Sequence, residues 1–156
     1  MNVTVDLAKP EQKPVLRGLL ACYLHDLSEF DGREFSEFGE FVFPELDHYW
    51  LEHDDRFPIL IRADGQLAGF ALVKKCDAAW SMADFFVLRK FRRQKVGAAA
   101  ALKIIPGFVG PWAVTSDKLN DPARTFWQRI IRTQTRDAYT EVANGTQISW
   151  RFVVEE

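Results

Sequence analysis

Cysteine is scarce in this chain. Only Cys22 and Cys76 occur among its 156 residues, far apart and outside any CxxC or Cys/His cluster. Two such cysteines offer no disulfide framework, and a reducing, cytoplasmic setting is the expectation. Histidine is equally sparse. His25, His48 and His53 show no metal-ligand spacing, so no metal is expected. No apolar run approaches the ~20 residues needed to cross a bilayer. The opening Met1-Asn2-Val3-Thr4-Val5-Asp6 has neither a basic start nor an apolar stretch, so no secretory leader and no membrane partner are expected. The formal net charge of −2 argues against a reader of nucleic-acid polyanions. Repeats, low-complexity tracts and linker-like stretches are missing, and residues 1–156 read as one domain, long enough to bury a core without staples.

Apolar residues make up 47% of the chain, with 13 Phe and 5 Trp, more aromatics than a core of this size calls for. Alternation and β-branching over Asn2–Ala8 predict a first strand, ended by Pro10. Val15, Leu16, Leu19, Leu20, Tyr23 and Leu24 recur at helical spacing and predict a helix over Glu11–Leu27, stopping around Asp31-Gly32. A second helix or turn of helix is expected over Phe43–His53, entered through Pro44. Apolar runs Phe57–Arg62 and Leu67–Lys74 flank Asp64-Gly65, a hairpin signal because a type I′ turn needs φ > 0 at both central residues. A strand over Ala79–Leu88, an Ala-rich helix over Val96–Ile105 ended by Pro106-Gly107, and a short strand over Pro111–Thr115 follow. A helix over Pro122–Arg132 has Asp121 as its expected N-cap and Pro122 in the first helical position. Asp137–Val142 and Gln147–Val154 flank a second hairpin signal, Asn144-Gly145. The pattern is mixed α/β around a central sheet.

The most informative stretch runs from the predicted strand through a basic turn into the small-residue helix. Five of the seven residues Arg89–Lys95 are Lys or Arg. A helix start presents unpaired N–H groups and the positive end of the helix dipole, so it attracts anions. Gly97 and the alanines after it allow close approach of a ligand to backbone. Together these predict a pyrophosphate cradle; the bland alternative is a solvated basic turn before a core helix.

Val87-Leu88-Arg89-Lys90-Phe91-Arg92-Arg93-Gln94-Lys95-Val96-Gly97 resembles the acetyl-CoA motif of the GNAT N-acetyltransferase superfamily, a strand running into a turn of the form Arg/Gln-x-x-Gly-x-Gly/Ala. Arg92 matches the first position and Gly97 the last, with Lys95 where the middle glycine usually stands; a shifted register, Gln94-x-x-Gly97-x-Ala99, also satisfies the pattern. Downstream, Asn120-Asp121-Pro122-Ala123-Arg124-Thr125-Phe126-Trp127 is similar to the family's Asn-x-x-Ala-x-x-Phe-Tyr element. The resemblance implies a mostly antiparallel, twisted sheet of about seven strands flanked by about four helices. It implies acetyl-CoA as acyl donor and an amine acceptor. It places the acetyl and pantetheine end on backbone groups of Phe86, Val87 and Leu88, and the pyrophosphate on the N–H groups of Arg93, Gln94, Lys95, Val96, Gly97 and Ala98. Arg92 or Lys95 would add charge, and Asn120, Phe126 and Trp127 would flank the pantetheine arm.

Acetyl transfer to an amine requires a held thioester, a polarised carbonyl and a deprotonated ammonium. Many family members carry a Tyr acid at the position of Trp127, and an indole cannot serve as an acid near neutral pH. Water, Tyr139 or Tyr49 would have to protonate the leaving thiolate. The candidate base is Asp84, among Trp80, Phe85 and Phe86, where burial would raise its pKa; His25, His48 and His53 are rivals.

The segment Asp26–Asp55 holds 11 of the chain's 22 acidic residues and only one basic one, Arg33, interleaved with aromatics from Phe30 to Trp50. In the family this region shapes the acceptor site, and acidic groups beside aromatic faces draw cationic amines. A small cationic acceptor is the resulting expectation, against an ordinary solvated loop. Rival readings are a catalytically degenerate acyl-CoA-binding module, a longer acyl donor, and a nucleic-acid contact through Arg89–Lys95. Gln147–Val154 is the candidate strand for a homodimer.

Overall fold

The computed structural model describes all residues, 1–156. Seven strands form one sheet: β1 (Val3–Leu7), β2 (Arg56–Ala63), β3 (Gln66–Cys76), β4 (Ala79–Val87), β5 (Gly110–Asp117), β6 (Thr140–Asn144) and β7 (Gln147–Val154), in the order β1-β2-β3-β4-β5-β7-β6. Every neighbouring pair is antiparallel except β4 and β5, which run parallel. Four helices complete the fold: α1 (Lys13–Asp31), α2 (His48–Leu51), α3 (Val96–Ile104) and α4 (Asp121–Thr135).

Side-chain alternation on β3 explains the layering. Phe70 and Leu72 face α1 and pack with Leu16, Leu20 and Leu24, while Ala71 and Val73 face α3 and α4 and pack with Ala101, Trp127 and Ile131. The central strand is therefore covered on both sides, and its run Ala68–Val73 is buried throughout.

Turn chemistry fixes the hairpins. Asp64 and Gly65 both take positive φ, 48° and 81°, as the Asp-Gly signal requires. Asp77 and Ala78 do the same between β3 and β4, at 51° and 66°, without a glycine to announce it. The last hairpin differs from expectation: Asn144 pairs with Gln147, so its loop is Gly145-Thr146. Only Gly145 has positive φ, which suits a turn with glycine first.

Several expected boundaries move. α1 starts at Lys13 after a short 3-10 turn and ends at Gly32 in the left-handed conformation, whose N–H reaches Ser28 O at 3.1 Å. Of the helix or turn of helix expected over Phe43–His53, the structure has the single turn His48–Leu51, with Phe41, Phe43 and Trp50 packed against the α1 core. α4 is capped by Asn120, not Asp121: the Asn120 side-chain oxygen accepts from the Ala123 N–H at 3.2 Å. β7 lies between β5 and β6, so the exposed sheet edges belong to β1 and β6 and not to the strand expected to mediate dimerisation.

Two irregularities shape β4. The register with β3 shifts between Leu72 and Val73, leaving Ala83 without a partner. This bulge reverses the facing of the strand: Met82 packs in the α3/α4 core, whereas Asp84 and Phe86 turn to α1. Farther along, a Cβ on Gly69 would lie 1.9 Å from Phe86 O, so only glycine allows β3 and β4 to approach where β4 enters the basic turn.

Candidate active site

β4 and β5 share one registered pair, Trp80 with Trp112, and then separate. On the α1 side the gap opens into a cleft of about 400 Å³ lined by Glu45, Lys74, Ser81, Ala83, Asp84, Thr115 and Gln147. Beside it, sharing Val42, Phe43 and Pro44, a larger cleft of about 1130 Å³ lies between α1 and the segment 35–47.

The edge of β4 facing the gap is set by hydrogen-bond alternation. The Leu88 N–H donates to Ala68 O at 2.7 Å, so Leu88 is directed at β3. Antiparallel partners alternate, so Phe86 also faces β3, while Phe85 and Val87 present their backbone to the opposite edge. Val87 O accepts from Arg92 Nε at 2.9 Å, which leaves the Val87 N–H and both polar groups of Phe85 toward the gap. Of Phe86, Val87 and Leu88, only Val87 turns its backbone N–H toward the gap, and strand phase rather than residue type decides this.

The turn after β4 leaves a run of backbone donors unused. None of the six backbone N–H groups from Arg93 to Ala98 donates to another group of the protein. Arg93 and Lys95 are left-handed, with φ 60° and 62°, and Lys95 is the residue that leads into α3. Such alternation turns successive N–H groups toward one concavity. It also supports the register with Lys95 at the usual glycine position, since left-handed φ is what that glycine serves. Lys95→Gly should raise stability by about 0.5–1 kcal/mol, the relieved strain less the added freedom of the unfolded chain; chemical denaturation measures it.

The basic side chains divide their work. Arg89 and Arg92 both bind Asp26 on α1, at 2.8 and 2.7 Å. Burial opposes the ionisation of Asp26, and the hydrogen bonds from Arg92 and Arg89 outweigh it, holding its carboxyl below the usual range. Lys90 binds Gln66 Oε1 at 3.0 Å. Arg93 and Lys95 remain as the exposed charges at the cradle. Gly97 brings α3 against Val87 and Phe126, where an added Cβ would lie 3.4 Å from each side chain. Asn120 uses its side-chain oxygen to cap α4. Trp127 is 7% exposed and packs edge-on against Phe85 and Phe126, at 5.1 and 4.9 Å between ring centroids, so it belongs to the core.

Asp84 lies in the smaller cleft, with Oδ1 accepting from the Tyr23 hydroxyl at 3.0 Å. Burial pushes its carboxyl up to about 6, against the lowering effects of the Tyr23 hydrogen bond and the Lys74 charge. Among the rivals, His25 lines the larger cleft, His48 pairs with Glu52 at 2.9 Å, and His53 stands exposed beside Asp54. Tyr49 is buried, and burial raises its pKa; its hydroxyl has no hydrogen-bond partner. Tyr139 lines neither cleft. Tyr23 is the residue that sequence reasoning did not connect to the site; only its place on the apolar stripe of α1 pointed inward. No group of three or more His, Cys, Asp or Glu side chains is arranged to hold a metal. No helix is long and apolar enough to cross a membrane.

The parted parallel strands, with a free helix N-terminus beside them, are matched by similarity of sequence. The sequence model of the Acetyltransferase (GNAT) family matches residues 23–131, from α1 through most of α4. The chain belongs to the GNAT acetyltransferase family. Among solved GNAT structures, the PaiA N-acetyltransferase from Thermoplasma acidophilum in complex with coenzyme A is 12% identical, with TM-score 0.64 over 98% of this chain and 99% of that one. The ribosomal-protein-S18-alanine N-acetyltransferase from Escherichia coli is 13% identical, with TM-score 0.61 over 99% and 96%. An acetyltransferase from Thermus thermophilus is 17% identical, with TM-score 0.65 over 98% and 97%. At such identities the likeness is one of fold. No curated protein sequence matches this chain. The GNAT fold accounts for the seven strands and the four helices.

Proposed function

We propose that residues 1–156 form one N-acetyltransferase domain that moves an acetyl group from acetyl-CoA to a primary amine by direct attack in a ternary complex. The observation that carries this reading is the run of six undonated N–H groups, Arg93–Ala98, at the start of α3 beside the parted edge of β4. This donor set fits a pyrophosphate, with Arg93 and Lys95 adding charge. The Val87 N–H and the Phe85 backbone supply polar partners for the pantetheine arm and the thioester carbonyl in the gap.

Asp84 takes the proton from the acceptor ammonium, and a carboxyl near 6 is largely ionised and basic enough for that task at neutral pH. The amine nitrogen then attacks the thioester carbonyl; the C–N bond forms, the C–S bond breaks, and the thiolate takes its proton from solvent. Trp127 is a packing residue and takes no part in that last step. Direct attack is favoured over an acyl-enzyme because neither cysteine lines the Asp84 cleft.

The acceptor reading is a small cationic amine. Ion pairs neutralise much of the acidic front segment: Asp31 with Arg33, Asp47 with Lys13, and Glu45 and Glu52 with Arg56. Glu40 and Asp84 remain as carboxylates outside these ion pairs, lining the two clefts beside Phe41 and Phe43. Thioester turnover across a panel of di- and polyamines, amino sugars, peptide N-termini and neutral amines tests both levels. Turnover with the cationic members is expected; preference for neutral or anionic amines would overturn the acceptor class. Saturable acetyl-CoA binding with no turnover on any amine would favour the second reading, an acyl-CoA-binding module, which the loss of the usual Tyr at position 127 supports.

A further inference from the structure

The base proposed above depends on a second residue from a distant part of the chain. Tyr23 and Asp84 are 61 positions apart, and the bulge at Ala83 is what turns Asp84 toward α1 to meet it. The Tyr23 ring is fixed by packing: it stands edge-on to Phe70, with centroids 5.5 Å apart, and tilted against Phe86 at 5.9 Å. α1 itself is held to the sheet by Leu16, Leu20 and Leu24. The phenol therefore arrives at Asp84 Oδ1 from a rigid element, along a direction that its ring packing determines.

Resting on the reading of Asp84 as base, we propose that Tyr23 is its positioning residue: the Tyr23 hydroxyl holds Asp84 Oδ1 on the α1 side and stabilises the ionised carboxylate, leaving Oδ2 for the acceptor amine. A hydrogen bond donated to the charged form of an acid favours that form. The other groups around Asp84 are Lys74 on β3, Glu45 in the segment before α2, Arg33 just beyond α1, and Tyr49 on α2. Arg33 is engaged with Asp31, and Glu45 lies 3.9 Å from Arg56, so Tyr23 is the one direct hydrogen-bond donor to this carboxylate. The phenol is not a proton source in this scheme: burial, and then the Asp84 charge, push its own pKa well above the ordinary value, so it keeps its proton through the reaction.

The test is Tyr23→Phe, which keeps the ring and removes only the hydroxyl. The readout is the pH profile of kcat/KM. Without the donor, the neutral acid is favoured, so the acid limb should move upward by about one pH unit. Activity near pH 6 should fall about fivefold more than activity at pH 9, with the KM for acetyl-CoA unchanged. An acid limb that stays in place would overturn the inference. A change confined to the basic limb would also overturn it by making Tyr23 a proton donor. Asp84→Asn, measured in parallel, separates this from the underlying reading. If that variant retains full activity, the base assignment falls; if it is inactive while the Tyr23→Phe profile is unmoved, only the role of Tyr23 falls. Thermal melting of both variants checks that the fold persists.

Discussion

Asp84→Asn should lose about a hundred- to ten-thousandfold in kcat/KM, the usual contribution of a positioned general base, while the protein becomes more stable. Both effects have one cause. The carboxyl is raised from 3.8 to about 6 chiefly by burial. Its folded value lies above its unfolded value, so ionising it costs the native state. The contribution of Asp84 to stability is therefore greatest below pH 4, declines as pH rises through the window from about 4 to 6, and stays lower above it. The full shift corresponds to roughly 3 kcal/mol, and an asparagine, with no charge to desolvate, should recover on the order of 1–3 kcal/mol at neutral pH. The asparagine oxygen can still accept from Tyr23, so the local geometry is preserved. Kinetics and denaturant unfolding at pH 4 and pH 7.5 check the two arms together. In wild type the acid limb of kcat/KM should fall near pH 6. An active variant, or one destabilised equally at both pH values, would separate Asp84 from the chemistry.

The second large effect is expected at Gly97. A Cβ there meets Phe126 and Val87 at 3.4 Å, tight but tolerable, so Gly97→Ala should bind acetyl-CoA nearly as wild type. An indole has no room between α3, β4 and α4. Gly97→Trp must either fill the concavity under the N–H groups of Arg93–Ala98 or push α3 away from Val87, and each disables the cradle. Acetyl-CoA affinity should fall at least a hundredfold, about 2.7 kcal/mol, with an overpacking cost of roughly 1–3 kcal/mol in stability. Calorimetric titration of acetyl-CoA and CoA into the three proteins, with circular dichroism to verify folding, measures this. Equal binding by Gly97→Trp would remove the cofactor from this turn.

Much of the fold was legible in local chemistry. The Asp64-Gly65 hairpin, the apolar stripe of α1 with its Gly32 stop, and the basic turn entering an Ala-rich helix all follow from backbone preferences and periodicity that act over a few residues. The segment 41–50 was less legible: Phe41 and Phe43 pack against the α1 core from irregular backbone, and only Tyr49 and Trp50 do so from the helical turn α2. The tight turn at Asp77-Ala78 was hidden for a related reason: tertiary pairing of β3 with β4 imposes positive φ on a residue whose own preference is against it.

At the site, the sequence by itself determined the family and singled out Arg93–Ala98 and Asp84 as candidates, because adjacent residues in a turn and helix start carry their chemistry together. Which backbone edge of β4 meets the gap, that Arg89 and Arg92 serve Asp26, and that Tyr23 holds Asp84 were decided only by the tertiary structure. Those features depend on strand phase. One unpaired residue, Ala83, reverses the facing of β4 between Met82 and Asp84, and no local pattern records on which side of a bulge a side chain will emerge.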